Sequence, residues 1–239
     1  MNFAIIVASA RARSGKTLLA RLLAENFILG GQQPAIFDTD ATAAPLVARF
    51  PDDALAIDVD RVTDQMALFD GLSAPAENSR IVDLTHGSFK KFFDLMLESD
   101  YLREARANGV EPVVFYIAGA DQDDFEQAND LRLRIGNCAF VFVENAMQGE
   151  IKQSVRNSEA FRTLADLPTR MLIPALDPYF MELIEEPDIS LSEFIREPTM
   201  KMAPEMRGAI RSWLINVLAE IYRVLGMIER RDELPPARR

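Results

Sequence analysis

Cysteine occurs once in the 239 residues, at position 138. A single thiol excludes an intrachain disulfide and a cysteine-rich metal centre, and its place in the apolar run 138–143 points to a buried, inert side chain. Long hydrophobic runs are also missing, and no stretch approaches the length of a membrane-spanning helix. The apolar start, Met1 to Ala10, ends in an Ala8-Ser9-Ala10 triplet like a cleavage site. No Lys or Arg precedes it, and the run is too short for a secretory signal. Internal repeats and low-complexity tracts are lacking. These absences predict a soluble, cytoplasmic protein with no stable membrane insertion. Positive charge is in short supply as well: the formal net charge is −11. That favours solubility and argues against a whole surface devoted to nucleic acid, while leaving room for a local basic patch.

Hydrophobic residues make up 49% of the chain and charged residues 26%, an ordinary globular balance over a length that can bury a substantial core. One domain over residues 1–231 is expected, with 232–239 a frayed tail. Strands and helices alternate. Residues 3–7, 35–37, 54–59, 80–84, 113–117, 139–143 and 171–173 read as short apolar strands. Helical periodicity covers 17–29, stopped by Gly30-Gly31, then 61–72 capped by Asp60, 88–98 opened by Ser88, and 124–134. Strands without polar alternation are buried on both faces. Joined by helices, they predict an α/β fold: a mostly parallel twisted sheet with helices on both faces. Residues 177–201 read as short helices and turns. Residues 204–230 read as one long helix, with Ile210, Trp213 or Leu214, Val217, Ile221, Leu225 and Ile228 on one stripe. Such a stripe serves a core or a subunit contact more often than a membrane surface.

The stretch Ser9-Ala10-Arg11-Ala12-Arg13-Ser14-Gly15-Lys16-Thr17 follows a strand and opens a helix, the context of a phosphate-binding loop. Backbone N–H groups of residues 11–18, among them Ala12, Arg13, Ser14, Gly15 and Leu18, would face phosphate oxygens, aided by the helix dipole. Lys16 would reach the β- and γ-phosphates, and the Thr17 hydroxyl would coordinate magnesium. Ala10 stands where the pattern G-x-x-x-x-G-K-[ST] begins with glycine. Two acidic motifs sit at the ends of predicted strands, Asp38-Thr39-Asp40 and Asp83-Leu84-Thr85-His86-Gly87. In a parallel sheet, carboxylates there face the ligand crevice, where they can hold magnesium or orient water. Asn145, just past the strand 139–143, is a candidate base contact. The lone histidine, His86, reads as a surface loop residue rather than a metal or catalytic group.

At these residues the chain resembles the ParA/MinD family of partition and division-site ATPases, with their deviant Walker A motif K-G-G-x-G-K-[ST]. Here the motif reads Arg11-Ala12-Arg13-Ser14-Gly15-Lys16-Thr17. The family's D-x-D matches Asp38 and Asp40, and its D-x-x-x-G matches Asp83 and Gly87. Ile173-Pro174, followed by an acidic turn with Pro187, is similar to the family's late strand and base-side loop. Arg11 replaces the signature lysine, Ala12 and Arg13 replace two glycines, and Leu18 stands where a hydroxyl is usual. The resemblance implies ATP and Mg2+ as cofactors, phosphate and metal held by Lys16, Thr17, Asp38 and Asp83, water positioned by Asp40, and Arg11 acting in trans. It further implies an ATP-dependent homodimer that switches binding to DNA or a protein cargo. A small-molecule synthetase or kinase, or a module with little hydrolysis, could use the same scaffold. From Arg196 onward nine Lys or Arg face six Asp or Glu, a local excess that hints at an acidic partner such as DNA.

Overall fold

A computed structural model describes residues 1–75, 77–186, 189–196 and 203–232. In chain order, β1 (Asn2–Ala8) leads through a loop into α1 (Lys16–Leu29), then β2 (Ala35–Asp38), α2 (Pro45–Arg49), β3 (Ala54–Ala56) and α3 (Val62–Ser73). Next come β4 (Arg80–Asp83), α4 (Phe89–Glu98), α5 (Tyr101–Ala107), β5 (Val110–Ala118), α6 (Gln122–Ile135) and β6 (Ala139–Asn145). A 3-10 turn (Ala146–Gln148), α7 (Gln153–Arg156), α8 (Glu159–Ala165), β7 (Met171–Ile173), α9 (Pro178–Glu185), α10 (Leu191–Arg196) and α11 (Pro204–Asp232) complete it. Of the tail expected at 232–239, Asp232 still belongs to α11, and residues 233–239, like the turn at Pro187, lie outside the described residues.

The seven described strands form one sheet in the order β3-β2-β4-β1-β5-β6-β7, and every pairing is parallel. Alternate residues of each central strand feed two cores. Phe3, Ile5, Val7, Val113, Phe115 and Ile117 meet α1, α9, α10 and α11 on one face. Ala4, Ile6, Val114, Tyr116, Phe140 and Phe142 meet α3 to α6 and α8 on the other. Both faces being covered, the central parts of the strands are apolar instead of alternating with polar residues. The stripe of α11 is core: Ile210, Leu214, Val217, Ile221 and Val224 are fully buried, and Trp213 donates its indole N–H to the Pro174 carbonyl at 2.7 Å. No helix among the described residues is long and apolar enough to cross a membrane.

Local expectations shift in instructive ways. The third strand ends at Ala56, and the Ile57 N–H makes the last bond of its ladder, to the Asp38 carbonyl at 2.8 Å. Asp60 does not cap α3: the cap position is Arg61, and Asp60 instead pairs with Lys91 at 2.7 Å. Ser88 holds the cap position of α4 without a capping bond, its backbone being already helical at φ −87°, ψ −8°, and its hydroxyl accepts the Thr85 hydroxyl at 2.9 Å. Cys138 is buried, and burial pushes its thiol up to about 12, so it stays an unreactive thiol near neutral pH.

Candidate functional site

β1 sits at the centre of the sheet, flanked by β4 and β5, so the chain leaves it where strand order reverses. Crevices at such points, past the strand C-termini, are where open α/β sheets take ligands. The loop from Ser9 to Gly15 occupies that position and delivers α1. Its turn needs Gly15: φ is +96°, and an added Cβ would lie 2.5 Å from Asn145 Nδ2. Arg13 is also left-handed, at φ +56°, so the backbone keeps the conformation that glycine would adopt cheaply although an arginine stands there.

The loop wraps around Lys16, which is buried. Its Nζ donates to the Arg11 carbonyl at 2.7 Å and to Ser14 Oγ at 3.4 Å. Both partners are neutral. Burial lowers the lysine pKa, and the nearby Asp83 opposes that shift. Thr17, the next residue, donates its hydroxyl to Asp83 Oδ2 at 2.6 Å. Parallel register brings Val7, Asp38 and Asp83 to one level of the sheet. Asp83 is nine-tenths buried or more, and burial pushes it up to about 6, with Asp38 and Asp40 adding to the rise and the Thr17 bond opposing it.

The other acids have different employment. Asp38 was expected to serve magnesium. It is fully buried, and its two oxygens accept the N–H groups of Asp40 at 3.0 Å and Leu46 at 2.9 Å. It therefore closes the loop between β2 and α2. Asp40 is half-buried, with Oδ1 accepting the N–H groups of Thr42 and Ala43. Its Oδ2 has no hydrogen bond among the described residues. Asn145 was expected at the base. Its Nδ2 donates to the Ser14 carbonyl at 3.0 Å and its Oδ1 accepts from Met147 N–H, so it fastens the loop. Gly87 and His86 are exposed in the turn after β4, and a Cβ at Gly87 would meet open space. Leu18 packs on the core and Ala12 is exposed.

Arg11 is exposed but paired. Its Nε donates to Asp124 and its Nη2 to Asp121, both at 2.5 Å, at the start of α6. Gln148 Nε2 holds the Arg13 carbonyl at 3.0 Å. Gln148, Asp124 and Thr39 were not singled out from the sequence. Only Asp124 carried a signal, as an acid near a helix start; Gln148 lies in a turn with no motif. Thr39 Oγ1 ties the end of β2 to the Asp83 carbonyl and accepts the Thr85 N–H.

The residues present fit a magnesium–triphosphate group. A buried lysine with only neutral partners can turn to phosphate, and a hydroxyl beside a carboxylate supplies two hard oxygen donors.

The chain matches no protein-family model, and no curated protein matches its sequence. Its fold is similar to solved structures. One is the septum site-determining protein MinD from Pyrococcus horikoshii, complexed with Mg-ADP. It is 16% identical, with a TM-score of 0.50 over 95% of this chain and 98% of that one. Another is a putative plasmid partition protein from Borrelia burgdorferi bound to AMPPNP. It is 10% identical, with a TM-score of 0.50 over 93% and 99% of the two chains.

Proposed function

We propose that this chain binds ATP with Mg2+ and acts as a nucleotide-controlled dimerisation switch, with slow ATP hydrolysis, in positioning or partitioning a cargo. The observation that carries the binding site is the Thr17–Asp83 pair beside Lys16, at the mouth of the sheet's switch point. Loop N–H groups and the N-terminus of α1 would cradle the phosphates. Lys16 would exchange the Arg11 carbonyl for β- and γ-phosphate oxygens. Thr17 and Asp83 would hold the cation, which when bound neutralises phosphate charge. Asp40 is anchored through Oδ1 and would orient water with Oδ2. That water would add to the γ-phosphorus as the bond to the β,γ-bridging oxygen breaks, giving ADP and phosphate. The switch reading draws on the family resemblance and on the motif order. The basic excess near the C-terminus, which would favour DNA as cargo, lies partly on residues 197–202 and 233–239, outside the described ones.

The test is Lys16→Ala with a fluorescent triphosphate. Affinity should fall on the order of tenfold to a hundredfold, the usual worth of a bond to a charged group, with far-UV circular dichroism unchanged. Unchanged affinity would sink the assignment.

One observation favours a second reading. A cavity of about 330 Å³, lined by Gly119, Phe125, Glu144, Gln148 and Arg156 among others, adjoins the loop on the α6 face. A small substrate seated there would make the protein a synthetase or kinase. ATP turnover measured with and without DNA separates the two: stimulation by DNA supports the switch.

A further inference from the structure

A cavity of about 330 Å³ lies just past the ends of β5 and β6, on the face of the sheet opposite α1. Phe125, Ile151 and Leu172 give it apolar walls. A buried acid interrupts them. Along β6, Phe140 and Phe142 face the α6 side, while Val141 and Val143 face the α1 side. Strand alternation puts Glu144 on the side of the two phenylalanines. A carboxylate thus stands where that stripe would continue with a core residue, and it is only 7% exposed. Arg170 Nη2 lies 2.6 Å from its Oε1, without the direction of a hydrogen bond. No other ion pair and no hydrogen bond reaches this carboxylate among the described residues. Burying a carboxylate is costly unless its oxygens are met, and here acceptor capacity is left over in a residue that lines the cavity.

Arg156, at the end of α7, supplies a cation to the same cavity. Its Nε donates to the Ile151 carbonyl at 3.3 Å, and its guanidinium carbon lies 5.5 Å from the centre of the Phe161 ring. These contacts hold the group against an aromatic face and leave both Nη groups without a partner among the described residues. It forms no ion pair with Glu144, whose cation is Arg170. Glu150 also lines the cavity but is exposed, so water meets its charge. A carboxylate and a guanidinium on one small cavity, not paired with each other, suit a ligand that carries both charges. A plain amine would leave Arg156 unmatched, and a plain acid would leave Glu144 unmatched. An ammonium can donate to Glu144, and a carboxylate can accept from both Nη groups of Arg156. The volume is at the low end for small-molecule sites, so both charges belong on a compact skeleton. The apolar walls take the rest of it.

We propose that this cavity binds an α-amino acid with an apolar side chain, its ammonium on Glu144 and its carboxylate on Arg156. This takes from the second reading above only that a small molecule sits there, and it stands without the dimer switch. Asn145 and Gln148 line the cavity and also hold the Ser14 and Arg13 carbonyls. The amino-acid site and the nucleotide site therefore share a wall without sharing a space.

The experiment is isothermal titration calorimetry of the full chain with L-leucine, L-methionine and L-phenylalanine. At least one should bind. Replacing that probe by the matching amine, which lacks the carboxylate, or by the matching acid, which lacks the ammonium, should weaken binding roughly tenfold to a hundredfold, the usual worth of a bond to a charged group. Glu144→Gln and Arg156→Gln should each do the same, with thermal melts separating loss of the site from loss of the fold. Leu172→Trp is the second kind of variant. It changes a residue 46% exposed on the edge strand, fills the cavity without touching its charges, and should abolish binding at an unchanged melting temperature. Saturating AMPPNP with Mg2+ should not displace the amino acid. Displacement would put it in the nucleotide site and overturn the proposal. Binding by none of the three probes, or binding that all three variants leave untouched, overturns it as well. The nucleotide titration of Lys16→Ala is a separate measurement, so failure of either reading leaves the other standing.

Discussion

Asp83 concentrates the electrostatics of the site in one residue. Its carboxyl is buried beside Asp38 and Asp40, and its pKa is pushed up to about 6. The folded protein therefore holds this proton more tightly than the unfolded chain does. Stability from that proton is fully present below the ordinary carboxyl value and is lost as pH rises through about 6. Metal binding runs the other way, since a cation needs the ionised form. Nucleotide affinity in Mg2+ should thus differ between wild type and Asp83→Asn well above pH 6, and the two should converge as pH falls through about 6. Parallel titration curves with a constant offset would contradict this. Gly15 gives a second residue-level expectation. With φ +96° and Asn145 Nδ2 2.5 Å from any added Cβ, Gly15→Ala should destabilise the fold by about 1–3 kcal/mol. Thermal melting reads this, and an unchanged midpoint would show that the loop relaxes freely.

At the scale of elements, α1 does two jobs. Its N-terminus meets the site, and its middle anchors the C-terminal part of the chain. Glu25 is buried and accepts the N–H groups of Leu191 at 3.0 Å and Ser192 at 2.9 Å, which caps α10. Arg21, one turn earlier, donates to the carbonyls of Ile184 and Ile189 and lies 3.8 Å from Glu25. Burial lowers its pKa to about 10. Arg49, at the end of α2, bonds the carbonyls of Glu185, Glu186 and Ile189. Glu25→Ala would leave the Arg21 guanidinium buried without its carboxylate and α10 without its cap. It should cost roughly 3–5 kcal/mol, read as a lower urea midpoint; a loss within the error of the measurement would show that this anchor is dispensable. None of this was visible in the apolar pattern of α1, because charged residues on a helix read as a solvated face until a partner covers them. Helices α5, α7 and α8 were likewise missed. They are seven, four and seven residues long, too short to display a helical period.

At the scale of the molecule, a single tryptophan reports on the whole. Trp213 is 5% exposed, lies on α11 and packs in the core that also holds β1, α1 and β7. We propose that residues 1–231 unfold as one unit. Tryptophan emission should shift to the red on urea unfolding, in a transition that coincides with loss of far-UV circular dichroism. Two separated transitions would divide the chain into independent parts.

The sequence by itself determined the α/β class, the strand-loop-helix that presents Lys16 and Thr17, and Asp83 at a strand end. Those features depend on neighbours a few residues apart, through apolar runs, a glycine turn and a helix start. It did not determine which acids and cations are free. Asp38 and Asp40 are two residues apart and look alike, yet one has both oxygens bonded to the backbone and the other keeps one without a bond among the described residues. Arg11 and Arg13 also look alike, yet Arg11 finds Asp121 and Asp124 more than a hundred positions away. Only tertiary structure decided those cases, because a charged side chain's role is set by the partner that the fold brings against it, and that partner can come from anywhere in the chain.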